Sequence, residues 1–281
     1  MPDLLFASAG LAMVRDRFRR FNIKLPAGAW SKLVAGRMTV PAAVSSPSIR
    51  KPQTTQPLLF LPGSNSPPDL AHQFDMHELY DSMFMQLTAA IEFGFNLYRQ
   101  SAGLIGVTIN GPQALGGQLQ GPNLEPLIRT APSVVTWTGT KVALRDAVAK
   151  GLDQQWAILA ASVKVPGLPW YPAFAAFPGP VAPPTPNVPT PFSVLTQDVG
   201  ATTPAVLKTA MRACLHGQFD YSDEFFESIS TGFDFALRLW KGVQMVNLVM
   251  GTGPVPNFAP PYIPVAPVIG GTILPGSHIN T

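Results

Sequence analysis

The side chains that could do chemistry gather in two places. Asp75, His77, Glu78 and Asp81 fall close together, and His77 and Asp81, four apart, would share one face of a helix. Carboxylates and an imidazole so placed could hold a divalent ion. A second acidic group, His216, Asp220, Asp223 and Glu224, stands before another helical segment. Acids collect at helix starts without any ion, because they cap free N–H groups and face the positive end of the helix dipole. Capping therefore accounts for both groups. Paired carboxylates for hydrolysis would also need a polar cleft, and nothing in the sequence locates one. The four histidines, His72, His77, His216 and His278, are too scattered to form a shared metal site or triad.

Glycine-rich stretches are the next candidates. Gly251-Thr252-Gly253-Pro254 and the segment from Gly103 to Pro112 lack both the dinucleotide-binding order of glycines and the Lys-Ser/Thr of a phosphate loop. Each ends in Gly-Pro, so helix termination is the expected reason for them. No nucleophile elbow, zinc-protease helix motif or kinase set is present. Cys214 is the single cysteine, which rules out an intrachain disulfide and a cysteine metal cage. A buried, inert thiol is expected there. The chain is accordingly expected not to be an enzyme, with no cofactor, no metal and no small-molecule substrate.

The elements that would position these residues recur. Shifting the sequence by 142 residues places Ile91–Pro112 against Phe233–Pro254 without a gap, so that Tyr98 meets Trp240 and Arg99 meets Lys241. A shift of 84 places Trp156 on Trp240. Each copy reads as a helix followed by an apolar Gly/Pro ribbon. Leu79, Met83, Leu87, Ile91 and Phe95 recur every fourth residue, the strongest helix signal in the chain. Leu104–Ile109 alternates as a strand does. The ribbon 165–191 holds ten prolines, and proline fixes φ and removes a donor, so isolated extended pieces are expected there rather than a central strand. Four segments follow: a basic N-terminal arm and Pro-rich linker (1–65), a first unit (66–136), a second with its ribbon (137–200), and a third with an apolar C-terminal arm (201–281). The expected fold is mainly α, built from three degenerate helix-plus-ribbon repeats with long irregular arms and few short strands.

Composition narrows the class further. Charged residues make up 12% of the 281, about half the usual share, against 46% apolar residues and 31 prolines. Seventeen Phe, five Tyr and five Trp argue against a disordered chain. So little charge leaves apolar surface to be covered, and such surface marks contact with other subunits. Residues 1–51 carry a net charge of +7 and the remainder −4. A basic arm of this kind, with Arg15, Arg17, Arg19 and Arg20 on an amphipathic stretch, suits an acidic neighbouring subunit, with nucleic acid or anionic lipid as alternatives. The first residues do not read as a secretory signal, because the positive charges follow the apolar run. No run of eighteen apolar residues occurs, so no spanning helix is expected.

The tail from Gly251 to Thr272, joined to a helix and echoed upstream, resembles the virion structural proteins of tailed phages and related contractile injection particles. Such proteins carry low charge, internal duplications and proline-rich arms lying over neighbours. The resemblance assigns no functional residue. It implies a structural subunit of a large assembly, a virion component of capsid, neck, tail or baseplate, made in the host cytoplasm and contacting copies of itself and other particle subunits. Tyr98, Trp156, Trp170, Trp240, Phe258, Tyr262 and Ile263 are the expected assembly contacts; for Tyr98, Trp156 and Trp240, which recur at equivalent positions, the favoured alternative is an anchor filling the same core slot in each copy. The alternative is a peripheral membrane protein using the basic amphipathic N-terminus.

Overall fold

The computed structural model describes residues 6–22, 67–217 and 222–279, with the side chains at 7, 17–22 and 67–80 outside the description. The amphipathic N-terminal stretch folds as a π-helical turn, Phe6–Gly10, followed by helix α1 (Leu11–Asn22). Its apolar residues face inward: Phe6 and Val14 are fully buried. Phe6 meets Phe233 edge-on with ring centroids 6.0 Å apart. A Cβ added at Gly232 would stand 2.8 Å from the Gly10 carbonyl oxygen, so this crossing requires glycine.

Helix α2 (Pro67–Ser101) buries Met83, Leu87, Ile91 and Phe95 of the four-residue row, and also Phe84, Ala90 and Tyr98 beside it. A helix apolar on more than one side must be surrounded. Phe84 stacks on Phe225 at 5.0 Å, and Phe95 meets both Trp156 and Trp240 edge-on at 5.0 Å. The chain then turns directly into β1 (Gly103–Asn110) and, through the two-residue turn Gly111-Pro112, into β2 (Gln113–Gln120). Gly111 has φ +55°, the left-handed value such hairpin turns demand at their first central position. In β1, Leu104 is buried and so are Val107 and Ile109, one residue out of strict alternation. Gly106, at φ +69°, and Gly117 across from it, at φ +86°, both drop out of the ladder without shifting its register, and this local twist keeps both halves of the strand facing the core.

Helix α3 (Leu124–Arg129) leads to α4 (Thr140–Ser162), and α4 to the short strand β3 (Val165–Leu168). Strand β4 (Val181–Pro186) and the two-residue β5 (Thr190–Pro191) follow. Helix α5 (Pro204–Cys214) rests on α4 where Gly151 allows the Met211 backbone to approach; an added Cβ would stand 2.7 Å from its nitrogen. Helix α6 (Ser222–Val243) buries Phe225, Phe226, Ile229, Phe233, Leu237 and Trp240. The chain ends through β6 (Met245–Val246), β7 (Met250–Pro254) and β8 (Ile269–Ile273).

The six longer strands form one antiparallel sheet in the order β3-β2-β1-β8-β7-β4, and β5 pairs with β6 apart from it. The mainly α expectation with few short strands is therefore wrong: the protein is about half helical and carries a six-stranded antiparallel sheet. The error has a physical origin. Segments read as proline ribbons supply both sheet edges, where a missing N–H donor leaves no gap in a ladder. In β4 the pairing to β7 skips Pro183-Pro184, with its register shifting between Ala182 and Thr185. The central strands β1 and β8 contain no proline. Helix α6 also stops at Val243, well before Gly251, so the glycines of Gly251-Thr252-Gly253 belong to a strand and terminate no helix.

Buried apolar residues from all four expected segments belong to a single cluster. Part of the C-terminal arm is built into the chain's own body: β8 lies between β1 and β7, and Val255, Ala266, Val268 and Ile279 are buried. Asn187 ties the two halves of the sheet's far edge. Its side-chain nitrogen donates to the Val188 and Val246 carbonyls, and its oxygen accepts from Val249 N–H at 3.0 Å.

Candidate functional site

Of the seven expected contact residues, Tyr98, Trp156, Trp170 and Trp240 are buried in the core. The three that align in the shifted sequences converge: Tyr98 and Trp156 meet edge-on at 5.4 Å, and Trp156 and Trp240 at 6.4 Å. Phe192 closes the group against Trp240 at 5.1 Å. Trp170 lies elsewhere, its indole N–H donating to Thr190 Oγ1 at 2.9 Å. These four rings fill the interior, so they offer nothing to another subunit.

The polar ends of this aromatic group are unusual. Tyr98 Oη, Trp156 Nε1 and Trp240 Nε1 are buried without a hydrogen-bond partner. Leaving such a group unmade costs about 1–3 kcal/mol. Burial pushes the Tyr98 hydroxyl up to about 12; the Trp156 indole N–H favours its ionised form, short of full hydrogen-bond geometry, and the Asp153 carboxylate opposes it. Tyr98 and Trp156 line a pocket of about 480 Å³, part of it open solvent, walled by β2 and the turn Gly121–Asn123 on one side and by Asp153, Ala157, Ala160 and Ala161 of α4 on the other. No sequence signal points to it, because its residues come from three separated segments and none forms a motif.

The acidic groups do not assemble. Asp81 faces Arg15 at 3.6 Å, Asp223 pairs with Arg212, and Glu227 with Lys208 at 2.9 Å. His216 is exposed. The side chains of His72, Asp75, His77 and Glu78, and all of Asp220, lie outside the described residues. Among the described residues no group of three His, Cys, Asp or Glu could hold a metal ion. Cys214 is half-buried, with its thiol 3.7 Å from Gln154 Oε1, and burial raises its pKa, which favours the unreactive thiol. Burial lowers the Lys241 ammonium to about 8. His278 is buried; its Nδ1 accepts from Leu104 N–H at 2.8 Å, and burial lowers its pKa.

What remains outside is a loop. Between Val255 and Ala266, both buried, ten residues from Pro256 to Val265 carry no charge. All of them are exposed except Phe258, which is partly buried against the core. Tyr262 at the tip is 89% exposed, and Ile263 stands beside it. The loop is held at its base by the Val255 N–H bond to Pro180 and the Phe177–Ala266 bridge, and at its tip by the Ala259–Ile263 bridge. Val181, exposed and paired with Pro254, continues the apolar surface at the base. Phe258, Tyr262 and Ile263 thus stand where a contact could form. Of the basic arm, Arg15 is half-buried against Asp81, while Arg17, Arg19 and Arg20 lie within α1 with their side chains outside the description.

No protein-family model matches the chain, and neither a curated protein nor a solved structure shows significant similarity to it.

Proposed function

We propose that the chain is a structural subunit that associates with further copies of itself in a larger protein assembly. The observation that carries this is the loop 256–265: an uncharged, rim-to-tip apolar projection with Tyr262 almost wholly in solvent, mounted on a sheet that holds it in place. Apolar patches of this kind on a folded body mark contact sites, and a tyrosine with an apolar ring and a polar tip suits the centre of one. Low charge acts in the same direction, because weak mutual repulsion favours association. The resemblance of the tail to virion structural proteins supports a particle component as the finer reading of the same proposal.

The membrane alternative fares worse on a specific observation. Phe6 and Val14, which an interfacial helix would sink into lipid, are buried against α6. Among the described residues no helix is long and apolar enough to cross a membrane.

Sedimentation of the full chain tests the proposal. Wild type is expected to show a mass that rises with concentration above the 30.1 kDa of one chain. The double substitution Tyr262→Asp with Ile263→Asp, at exposed positions, is expected to return it to one chain without lowering the Tm. A wild-type protein that stays at one chain throughout, or a variant that associates equally well, overturns the proposal.

A further inference from the structure

The six-stranded sheet has one face on the core and another that no described element covers. Leu104, Val107, Ile109, Ala114 and Leu119 point inward and are buried, so the side chains between them point out. Leu115, Thr108, Thr272 and Thr252 are successive cross-strand partners on that outer side; the first three are exposed and Thr252 is half-buried. None of the six strands contains Asp, Glu, Lys, Arg or His. A bare place lies within this face. Gly106 is exposed, and a Cβ added there would meet nothing nearer than 3.9 Å; the same distance holds for Gly116. The two glycines leave a shallow notch between the Ile105–Gln118 pair and the Thr108–Leu115 pair. From residue 105 to residue 108 a strand advances about 10 Å, room for one aromatic ring.

Two properties decide what could fill the notch. Prolines at 166 in β3 and at 183, 184 and 186 in β4 take donors from both sheet edges, so a partner cannot extend the ladder and must lie on the face. A charged group laid there would lose water and find no counter-ion, so the fitting partner is uncharged. The loop 256–265 has that character. At 89% exposure its Tyr262 ring packs on little of its own chain, so ring and notch are both left open. An aromatic ring laid over strand glycines makes up the packing that their missing side chains give up. We infer that Tyr262 of one copy seats in the Gly106–Gly116 notch of a second copy, its ring against Leu115 and Ile105 and its hydroxyl toward the Gln118 amide. This rests on the loop-mediated association proposed above and names the surface that the loop meets. Loop and notch are different surfaces of one chain, so each copy both gives a ring and receives one.

Two variants of the full chain and their mixture test it by sedimentation. Thr108→Lys with Leu115→Glu sets an ion pair on the rim of the notch at exposed, directly opposed positions. Tyr262→Asp with Ile263→Asp removes the ring and leaves the notch intact. Wild type is expected to associate as concentration rises, and each variant alone to stay at one chain up to concentrations about thirtyfold higher, the loss of one hot-spot contact. Mixed in equal amounts, the two variants should form a species of two chains and nothing larger, because one brings the only sound loop and the other the only sound notch. A Tm near that of wild type certifies each fold, and Gln118→Lys, exposed beside the notch, replaces the notch pair if its Tm falls. A wild type fixed at one chain, or a loop variant that associates like wild type, overturns the loop reading and this inference together. A notch variant that associates like wild type overturns this inference alone. So does a pair of variants that each stay at one chain and fail to join on mixing, or a mixture that grows beyond two chains.

Discussion

Gly251→Ala is the sharpest probe of the sheet that carries the loop. A Cβ at 251 would stand 2.6 Å from Tyr171 Cζ and 2.7 Å from Ile109 Cδ1, distances that real methyl groups do not tolerate. Neither neighbour can move freely. Ile109 is fully buried in β1, and Tyr171 is 1% exposed, stacks on Phe174 at 5.1 Å and donates its hydroxyl to the Val249 carbonyl at 2.8 Å. Forcing a methylene-sized group into such packing costs about 1–3 kcal/mol. Displacing the tyrosine far enough to break its hydrogen bond adds about 0.5–1.5 kcal/mol. Against this, restricting the unfolded chain returns about 0.4–1 kcal/mol. The net expectation is a loss of roughly 0.5–4 kcal/mol, a sizeable part of a total stability of about 5–15 kcal/mol. Urea unfolding followed by tryptophan fluorescence reads it as a lower midpoint at unchanged slope. Gly242→Ala is the control: nothing lies within 4 Å of its added Cβ, and it sits inside α6, so the same change should stabilise by about 0.5–1 kcal/mol. If Gly251→Ala is as stable as wild type, or if both substitutions shift the midpoint alike, the close packing of β7 on Tyr171 is wrong.

Two further perturbations reach the C-terminal segment. Deleting residues 255–281 removes β8 from between β1 and β7 and strips Val255, Val268 and Ile279 from the core, each contributing about 1.5–3 kcal/mol; cooperative unfolding should vanish, where an external arm would have left it intact. His278 is held neutral by burial, so its folded pKa lies below the unfolded value of about 6.5. The unfolded chain therefore binds the extra proton, and the contribution is complete above that value and lost as pH falls below it; His278→Asn, which keeps an acceptor for Leu104 N–H, should flatten the fall in Tm over that range.

The helices were legible because their signals are local. The row from Met83 to Phe95 is a four-residue period, and Asp223 and Glu224 sit in the first turn of α6 as capping and dipole arguments expect. The expected ends held less well: α6 stops at Val243, where the glycines farther on had suggested a longer helix. The sheet was hidden for a different reason. Its strands meet across large separations, with Thr108 opposite Thr272 and Val181 opposite Pro254, and its inner members β7 and β8 each carry two glycines in five residues, which weakens their strand signal. Gly253 and Gly271 are there because backbones approach closely: an added Cβ at Gly253 would stand 2.5 Å from the Gly271 Cα. No window of sequence contains that constraint. Tyr98, Trp156 and Trp240 read as anchors filling the same core slot in each of three copies, and the core is where they lie; their sequence equivalence is equally consistent with three separate cores and with the one they share.

That shared core changes what poverty of charge means for this protein. Taken as a linear feature, an uncharged, proline-bearing tail has to be covered by some other molecule. In the folded chain part of it is covered from within, by pairing β8 into the centre of the sheet, seating His278 against the start of β1 and burying Val255, Ala266, Val268 and Ile279. Low charge by itself therefore calls for no partner; a partner would meet the part of the tail that the fold leaves outside. Its longest outlying stretch is the ten residues 256–265, flanked on both sides by buried anchors at Val255 and Ala266, so the exposure there is imposed by a folded body and does not arise from a frayed end. A loop so anchored presents Tyr262 with little conformational freedom to lose on contact, and a contact that orders little retains more of its apolar gain.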